Sequence, residues 1–303
     1  TLIGIKEKNG NLTLNPDKEY IILKDDLLIV IAEDDDDDIE LNEYTIVDKK
    51  LNELKISLDS ELEKDRLSIC ILGWSKLGQQ IYERTIPFLS VDSEIHFAYK
   101  EDLIHKVPKI SDQYKTNHKT TILNHDQNKD IETILINNIF DVILIVGYDD
   151  VTSQEVSDTN SLLLNFYIRS ILDKQKNDKP TRIIIQLNDG TKKELIPKNK
   201  YNELIVSDTL SALMISQLAD SPRLWEVFEE LFSFKGLKIN VSTIFKYLDT
   251  KEIKSIKVTD LILLALEKNQ IFIGYVFQDK LHINPPKSEE ISIDESLELV
   301  YIG

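Results

Sequence analysis

Three groups of residues have types and spacing that could do chemistry. The first is Gly73-Trp74-Ser75-Lys76-Leu77-Gly78, which follows the apolar run Ser68-Ile69-Cys70-Ile71-Leu72. A dinucleotide fingerprint reads Gly-x-Gly-x-x-Gly. Its first glycine makes the tight turn, its second lets backbone approach a pyrophosphate, and its third packs helix on sheet. Here the middle glycine is Ser75, so the fold signal is kept and the ligand signal is damaged. Glu101, at the end of the next apolar run, could bond a ribose hydroxyl, but Lys100 precedes it. The second group is carboxylates. Asp34, Asp35 and Asp36 sit in an unbroken acidic run from Glu33 to Asp38, and Asp149 and Asp150 follow a later strand. Ca²⁺ takes six to eight oxygen ligands, so both are candidates for a divalent cation. The spacing is not that of an EF-hand, and a solvated loop or helix-start carboxylates are the ordinary readings. The third group is five histidines, His96, His105, His118, His125 and His282, which form no motif and read as surface or core residues.

The elements that must position these residues alternate. Strands are expected at Ser68–Gly73, Glu94–Tyr99, Lys119–Asn124, Asp141–Val146, Arg182–Leu187 and Glu203–Val206. Helices are expected near Leu77–Phe88, Ile131–Ile136, Thr159–Lys174 and Lys192–Pro197. Continuous apolar runs such as Val142-Ile143-Leu144-Ile145-Val146 call for a sheet covered on both faces. Strand and helix in alternation give an α/β doubly wound, parallel, Rossmann-like sheet with right-handed crossovers. In such a sheet ligands bind at the carboxyl ends of the strands, where Gly73 and Asp149 fall.

Bulk properties set limits. With 303 residues the chain can bury about 75% of its unfolded surface. A net charge of −17 argues against a nucleic-acid groove, which needs clustered Lys and Arg. The single cysteine, Cys70, allows no disulfide within the chain and sits in an apolar run as a small core residue. No apolar run reaches the roughly 18 residues of a membrane helix. The chain begins at Thr1 without Met and reads as a soluble piece of something larger.

Five segments follow. Residues 1–38 read as a β-rich lobe, 39–66 as a linker, 67–206 as the Rossmann-like lobe, 207–235 as a crossover helix pair and 236–303 as a small α+β lobe. In the first, Leu2–Ile5, Leu12–Leu14, Tyr20–Leu23 and Leu27–Ala32 read as strands, with an Asn9-Gly10 turn. In the last, a strand at Leu237–Val241 and a helix at Val258–Lys268 precede Gly274-Tyr275-Val276, Leu281–Pro285 and Leu297–Ile302. Gly4, Asn15-Pro16 and the strand from Leu27 recur, with single-residue adjustments, as Gly274, Asn284-Pro285 and the strand from Leu297. Such a recurrence reads as a tandem repeat whose first copy is present only as its end. The helix pair is expected to start at a Ser207-Asp208-Thr209 cap and to restart with Ser221 as N-cap and Pro222 at N1. Leu213, Leu218, Trp225, Phe228 and Phe232 give it large apolar residues suited to an interface between copies.

A Rossmann lobe, a helix pair and a small α+β lobe in tandem resemble the RCK regulatory domains of cation channels, most closely those of the CASTOR/POLLUX ion-channel family. The residues carrying this are Val30-Ile31-Ala32-Glu33-Asp34-Asp35-Asp36, Ile71-Leu72-Gly73-Trp74, Asp141–Gly147, Ser207–Ala212 and Ile271–Tyr275. The resemblance implies a non-enzymatic gating-ring module on the cytoplasmic side of a membrane, conducting potassium or calcium through the whole channel. It implies self-association into a dimer or tetrameric ring and an upstream transmembrane pore in the same chain, with no nucleic-acid partner. In that family the ring couples ion or nucleotide binding to the pore; the ligand of this chain stays open, with Ca²⁺ a candidate and NAD, given Ser75 and Lys100, less expected. The competing readings are an NAD(P)-dependent oxidoreductase and a Ca²⁺-responsive binding module.

Overall fold

The computed structural model describes residues 1–17, 19–32, 66–100, 117–123, 127–147, 153–175, 180–196, 202–233, 237–248 and 253–303. The chain divides into two compact units. One is Glu63–Ser221, and the other joins Thr1–Leu62 to Pro222–Gly303.

In the order of the chain, β1 (Leu2–Lys6), β2 (Leu12–Leu14) and β3 (Leu27–Val30) come first. Next are β4 (Ser68–Leu72), α1 (Lys76–Thr85), β5 (Glu94–Lys100), β6 (Asn117–Leu123), α2 (Gln127–Asn137), β7 (Val142–Ile145), α3 (Gln154–Leu172), β8 (Arg182–Leu187), β9 (Asn202–Val206) and α4 (Ser207–Asp220). After these come α5 (Leu224–Phe232), β10 (Ile239–Thr243), β11 (Ser255–Lys257), α6 (Val258–Glu267), β12 (Ile271–Phe277), β13 (Lys280–Ile283), β14 (Glu290–Ser292) and β15 (Glu298–Ile302).

The Glu63–Ser221 unit is the expected doubly wound domain. Its six strands run parallel in the order β6-β5-β4-β7-β8-β9, with the chain reversing direction across the sheet at β4. Side chains alternate across each strand, so one run of apolar residues feeds two cores. Ile69, Ile71 and Phe97 pack with Trp74, Tyr82 and Leu89 on one face. Cys70, Leu72, Ile143, Ile145, Ile183 and Ile185 pack with α2 and α3 residues on the other. Each fully buried isoleucine here contributes about 1.5–3 kcal/mol by leaving water. The helix expected at Lys192–Pro197 is instead a 3₁₀ segment, Gly190–Leu195, held by the Asp189 carboxylate, which accepts from the Thr191 amide at 2.9 Å.

The second unit is mostly antiparallel sheet. One sheet has the order β2-β1-β3 and another β10-β15-β12-β13, with a small β11–β14 pair and α6 packed on β12 and β11. Three local expectations fail. Tyr20–Leu23 forms no strand: those residues have no regular structure, lie between turns at Glu19 and Lys24-Asp25, and leave Ile21, Ile22 and Leu23 exposed. α4 starts one residue earlier than its Ser207-Asp208-Thr209 cap requires, with Val206 as N-cap and no side-chain bond there. α5 starts at Leu224 with Arg223 as N-cap, so Ser221 and Pro222 stand outside it.

Candidate functional site

The turn after β4 is the natural ligand position of the parallel sheet, because the strand order reverses beside it. Gly73 holds φ +87°, a left-handed conformation that favours glycine, and its N–H donates to the Ala98 carbonyl at 2.9 Å. Trp74 is buried and meets Phe97 edge-to-face at 5.6 Å. Ser75 is the N-cap of α1, and its hydroxyl accepts from the Gly78 amide at 3.1 Å. A Cβ at Gly78 would lie 3.3 Å from Val146 Cγ2, which is the close helix-to-sheet packing expected of the third fingerprint glycine. Gly73 and Gly78 therefore do the structural work of their counterparts. Ser75 does something else: its side chain satisfies a helix-start amide that a pyrophosphate would otherwise take. The turn offers a phosphate one helix-start amide fewer than the glycine fingerprint would.

A second polar cluster lies along the carboxyl end of β8, and periodicity gave no signal of it. Asp158 on α3 is almost completely buried. Its Oδ1 accepts from the Asn188 backbone and side-chain amides, and its Oδ2 from the Asp189 amide, all at 2.9 Å. Gln186 donates to Asn188 Oδ1 and to Ser207 Oγ, both at 3.3 Å. The inner face of α3 is thus polar at Ser157, Asp158, Ser161 and Asn165 before it turns apolar at Ile168 and Ile171. A buried carboxylate is tolerated where backbone amides bond it, and Asp158 pins the β8 loop in that way.

Glu101, Asp34, Asp35, Asp36, Asp149 and Asp150 lie outside the described residues. Among the described residues no three His, Cys, Asp or Glu side chains gather as a metal site. His96 is buried on β5, within 2.7 Å of Thr121 Oγ1, and burial and then Lys119 push its pKa down. His118 Nε2 lies 3.2 Å from the Tyr82 hydroxyl, and its ring stacks on Phe97. Both are structural. Burial pushes the Cys70 thiol far up, so it stays protonated and inert. A cavity of about 260 Å³ lined by Arg66, Glu94 and Asp141 opens at the amino ends of the strands, opposite the edge such sheets use.

Several of the interface candidates are broadly exposed to water. α4 has no buried residue, and Leu210, Leu213 (61% exposed) and Ile215 (66%) face solvent, with Leu218 half-buried. α5 buries only Val227, exposing Trp225 and Phe232, while Phe228 is half-buried and 6.4 Å from the Phe232 ring.

The repeat is visible as two matching hairpins. Gly4 faces Leu14 on β2 and Ile29 on β3, as Gly274 faces Ile283 on β13 and Val300 on β15. Each long pairing has a register irregularity just before its glycine. Asn15 and Asn284 both have left-handed φ, 50° and 48°, and each amide donates to its own strand, to Ile3 and Ile273. The two copies also reach across to each other. Asn15 Nδ2 donates to the Asn269 carbonyl at 2.5 Å, and Thr1 Oγ1 donates to Asn284 Oδ1 at 2.8 Å. Matching residues of both copies, Ile3 with Ile273, Ile29 with Val300 and Ile31 with Ile302, form one apolar cluster.

No family model matches the chain. It is homologous to ion-channel proteins of the CASTOR/POLLUX type over most of its length. It is 25% identical to the probable ion channel POLLUX of Oryza sativa subsp. japonica, over 95% of this chain and 33% of that protein. It is 23% identical to the probable ion channel CASTOR of the same plant, over 94% of this chain and 35% of that protein. A shorter stretch, 37% of this chain, is 29% identical to the ion channel CASTOR of Lotus japonicus. The chain thus spans about a third of the curated relatives it matches along its length. Among solved structures, the human SLO3 gating ring superposes with a TM-score of 0.55 at 14% identity, over 78% of this chain and 43% of that one. The fold is shared with that gating ring: a parallel α/β sheet with smaller antiparallel sheets.

Proposed function

We propose that this chain is a non-enzymatic regulatory part of a cation channel, a segment of a gating ring on the cytoplasmic side of the membrane. In this reading residues 1–38 end one RCK unit. Residues 67–303 form the next, with 39–66 linking them and 207–235 as its crossover pair. The observation that carries it is the bare apolar surface of α4, which has no buried residue of its own. Homology to channel proteins over 95% of the chain supports it. An isolated fourteen-residue helix is marginal in water and takes its stability from tertiary or quaternary packing. Leu213, Leu218, Trp225, Phe228 and Phe232 form the contact between copies, and a dimer or tetrameric ring then couples to a pore elsewhere in the full-length protein. A ligand shifts such a ring only by binding one of its conformations more tightly, with a usual coupling of about 1–3 kcal/mol per site. Among the described residues no helix is long and apolar enough to cross a membrane.

Light scattering during size exclusion tests this. The chain is expected to run as a dimer or larger, and Leu213→Asp with Ile215→Asp to run as a monomer that still unfolds cooperatively, at a lower melting temperature. A wild-type monomer at high concentration would overturn the interface. Calorimetry with Ca²⁺ tests the competing calcium-responsive reading: heat that Asp34→Asn, Asp35→Asn and Asp36→Asn, or Asp149→Asn and Asp150→Asn, remove would support it, and identical heats would end it. An NADH or NADPH titration should be silent, because Ser75 holds the Gly78 amide.

A further inference from the structure

No residue of α4 is buried, so the direction of this helix is set where it starts. Gln186 on β8 donates from Nε2 to Oγ of Ser207, the first residue of α4, at 3.3 Å. Gly190, just beyond β8, has little room for a side chain. A Cβ there would meet Thr209 Oγ1 at 3.1 Å and Val206 Cγ1 at 3.5 Å, so the loop backbone lies against the first turn of α4. The loop itself is pinned from α3. Asp158, 1% exposed, takes the amides of Asn188 and Asp189 on its two carboxylate oxygens, together with the Asn188 side chain. Lys192 Nζ donates to the Glu155 carbonyl on α3 at 3.2 Å. Hydrogen bonds to a carboxylate are strong and weaken steeply off their geometry, so they fix a backbone path. On its other arm, Gln186 Oε1 accepts from the Gly147 N–H at 3.4 Å, and a Cβ on Gly147 would lie 2.8 Å from Ser157 Oγ. The carboxyl end of β7 therefore bears on the same turn of α3 as Asp158.

That part of α3 is held by these bonds more than by packing. Five residues between Gln154 and Asn165 are buried, and four of them are polar: Ser157, Asp158, Ser161 and Asn165. Asn165 is 1% exposed, and neither its Oδ1 nor its Nδ2 has a partner among the described residues, so its burial is uncompensated. Ile168 and Ile171 seat the rest of the helix in the apolar core. We infer that Asp158 is the positioning residue of α4. It sets the direction in which that helix leaves the sheet, and it does so from a part of α3 that apolar packing alone would leave loose. Its importance for assembly rests on reading α4 as the contact between copies. A displacement of Gly147 meets Ser157 at once, because close-packed groups transmit strain, and it reaches α4 through Asp158 and the β8 loop.

The test separates position from stability. Spin labels on Asn137→Cys, at the end of α2, and on Gln217→Cys of α4 report the distance between the two helices; both positions are exposed, and Cys70 is fully buried and stays unlabelled. Labelled chain is diluted with unlabelled chain, so that only distances within one chain are read. Asp158→Asn sets an amide against at least one of the three donors. It should broaden or shift the distance and lower the urea midpoint. Asn165→Leu should raise the midpoint, because it removes two unpaired polar atoms from the interior. With both substitutions the midpoint should return toward the wild-type value, while the distance stays altered and self-association stays weaker by about tenfold. A distance that returns with the midpoint overturns the inference, because Asp158 is then only structural. An unchanged distance in Asp158→Asn overturns it outright. Should Asp158→Asn not fold, Ser207→Ala, half-buried at the far end of the network, takes its place. It should broaden the distance at an unchanged midpoint, and an unaltered distance there overturns the inference as well. A wild type that is monomeric at every concentration removes α4 as the contact between copies, and the label distance still decides on Asp158.

Discussion

The two hairpins are built to one plan and end up in different surroundings. Both have the same register, the same irregularity before a glycine and the same left-handed asparagine. Yet Phe272 and Leu2, or Ile291 and Ile21, differ from almost complete burial to broad exposure. The difference teaches that backbone plan and side-chain burial are set by separate causes. Turn residues and strand pairing fix the first locally, and what packs on top fixes the second. Even the turns at the tips differ. Gln278 and Asp279 both have positive φ, as a two-residue type I′ hairpin requires, whereas β1 and β2 are joined by the longer loop from Glu7 to Asn11 around Gly10. That loop accounts for the one-residue difference in spacing between the copies.

Substitutions at three matched pairs of positions would break or sharpen the comparison, read as shifts in urea midpoint. Phe272→Ala should destabilise by about 3–5 kcal/mol, whereas Leu2→Ala should change this chain by less than about 1 kcal/mol. Equal losses would mean that Leu2 is covered after all. Next come the glycines. A Cβ on Gly274 would sit 2.2 Å from the His282 carbonyl oxygen, which is backbone and cannot step aside. On Gly4 the nearest atom is the Leu14 Cδ2 at 2.5 Å, the end of a side chain, with the Thr13 oxygen at 3.0 Å. Gly274→Ala should therefore cost about 3 kcal/mol and Gly4→Ala about 1 kcal/mol. The asparagines are the control for sameness: Asn15→Ala and Asn284→Ala should each lose about 1–2 kcal/mol, and Asn→Gly at either should lose less, keeping the left-handed backbone while giving up the side-chain hydrogen bond between the copies.

The smallest effect is one of pH, and it belongs to one copy. Burial, and then the hydrogen bond to Glu289, push Tyr275 up to about 12, and Ile5 in the matching place has nothing to titrate. The folded state then keeps a proton that the unfolded chain releases near pH 10. The contribution is whole below pH 10 and is lost as pH rises toward 12. Tyr275→Phe should flatten the fall of thermal stability between pH 10 and 12 while Ile5→Val leaves its slope unchanged. An unaltered slope in Tyr275→Phe would remove the argument.

Much of this fold was legible in the sequence. Arg182–Leu187 is a strand at the bounds its apolar run predicts, and Val142–Ile145 is a central strand because an unbroken apolar run fits only a sheet covered on both faces. The repeat was legible because glycine and left-handed asparagine are demanded by backbone geometry and so leave marks at fixed spacing. Tyr20–Leu23 misled for the opposite reason. Its composition suits a strand, but no described strand pairs with it, and β propensity is a statement about packing on neighbours. The helix starts after β9 were misread since a Ser or a Ser-Pro pair is only a local preference, and the chain entered both helices without a side-chain cap. Of the candidate site, the altered turn at Ser75 was visible, but the Asp158 cluster was not. Its members come from three distant places in the chain, Asp158 on α3, Gln186 and Asn188 at the end of β8 and Ser207 at the start of α4, so no single stretch announces it.

The β-rich unit is made of two chain segments, Thr1–Leu62 and Pro222–Gly303, with the whole Rossmann sheet inserted between them. That sheet is consequently wired to its neighbour by two covalent leads, one leaving after β3 and one entering ahead of α5. A single proteolytic nick in either lead leaves the units attached, and release takes both.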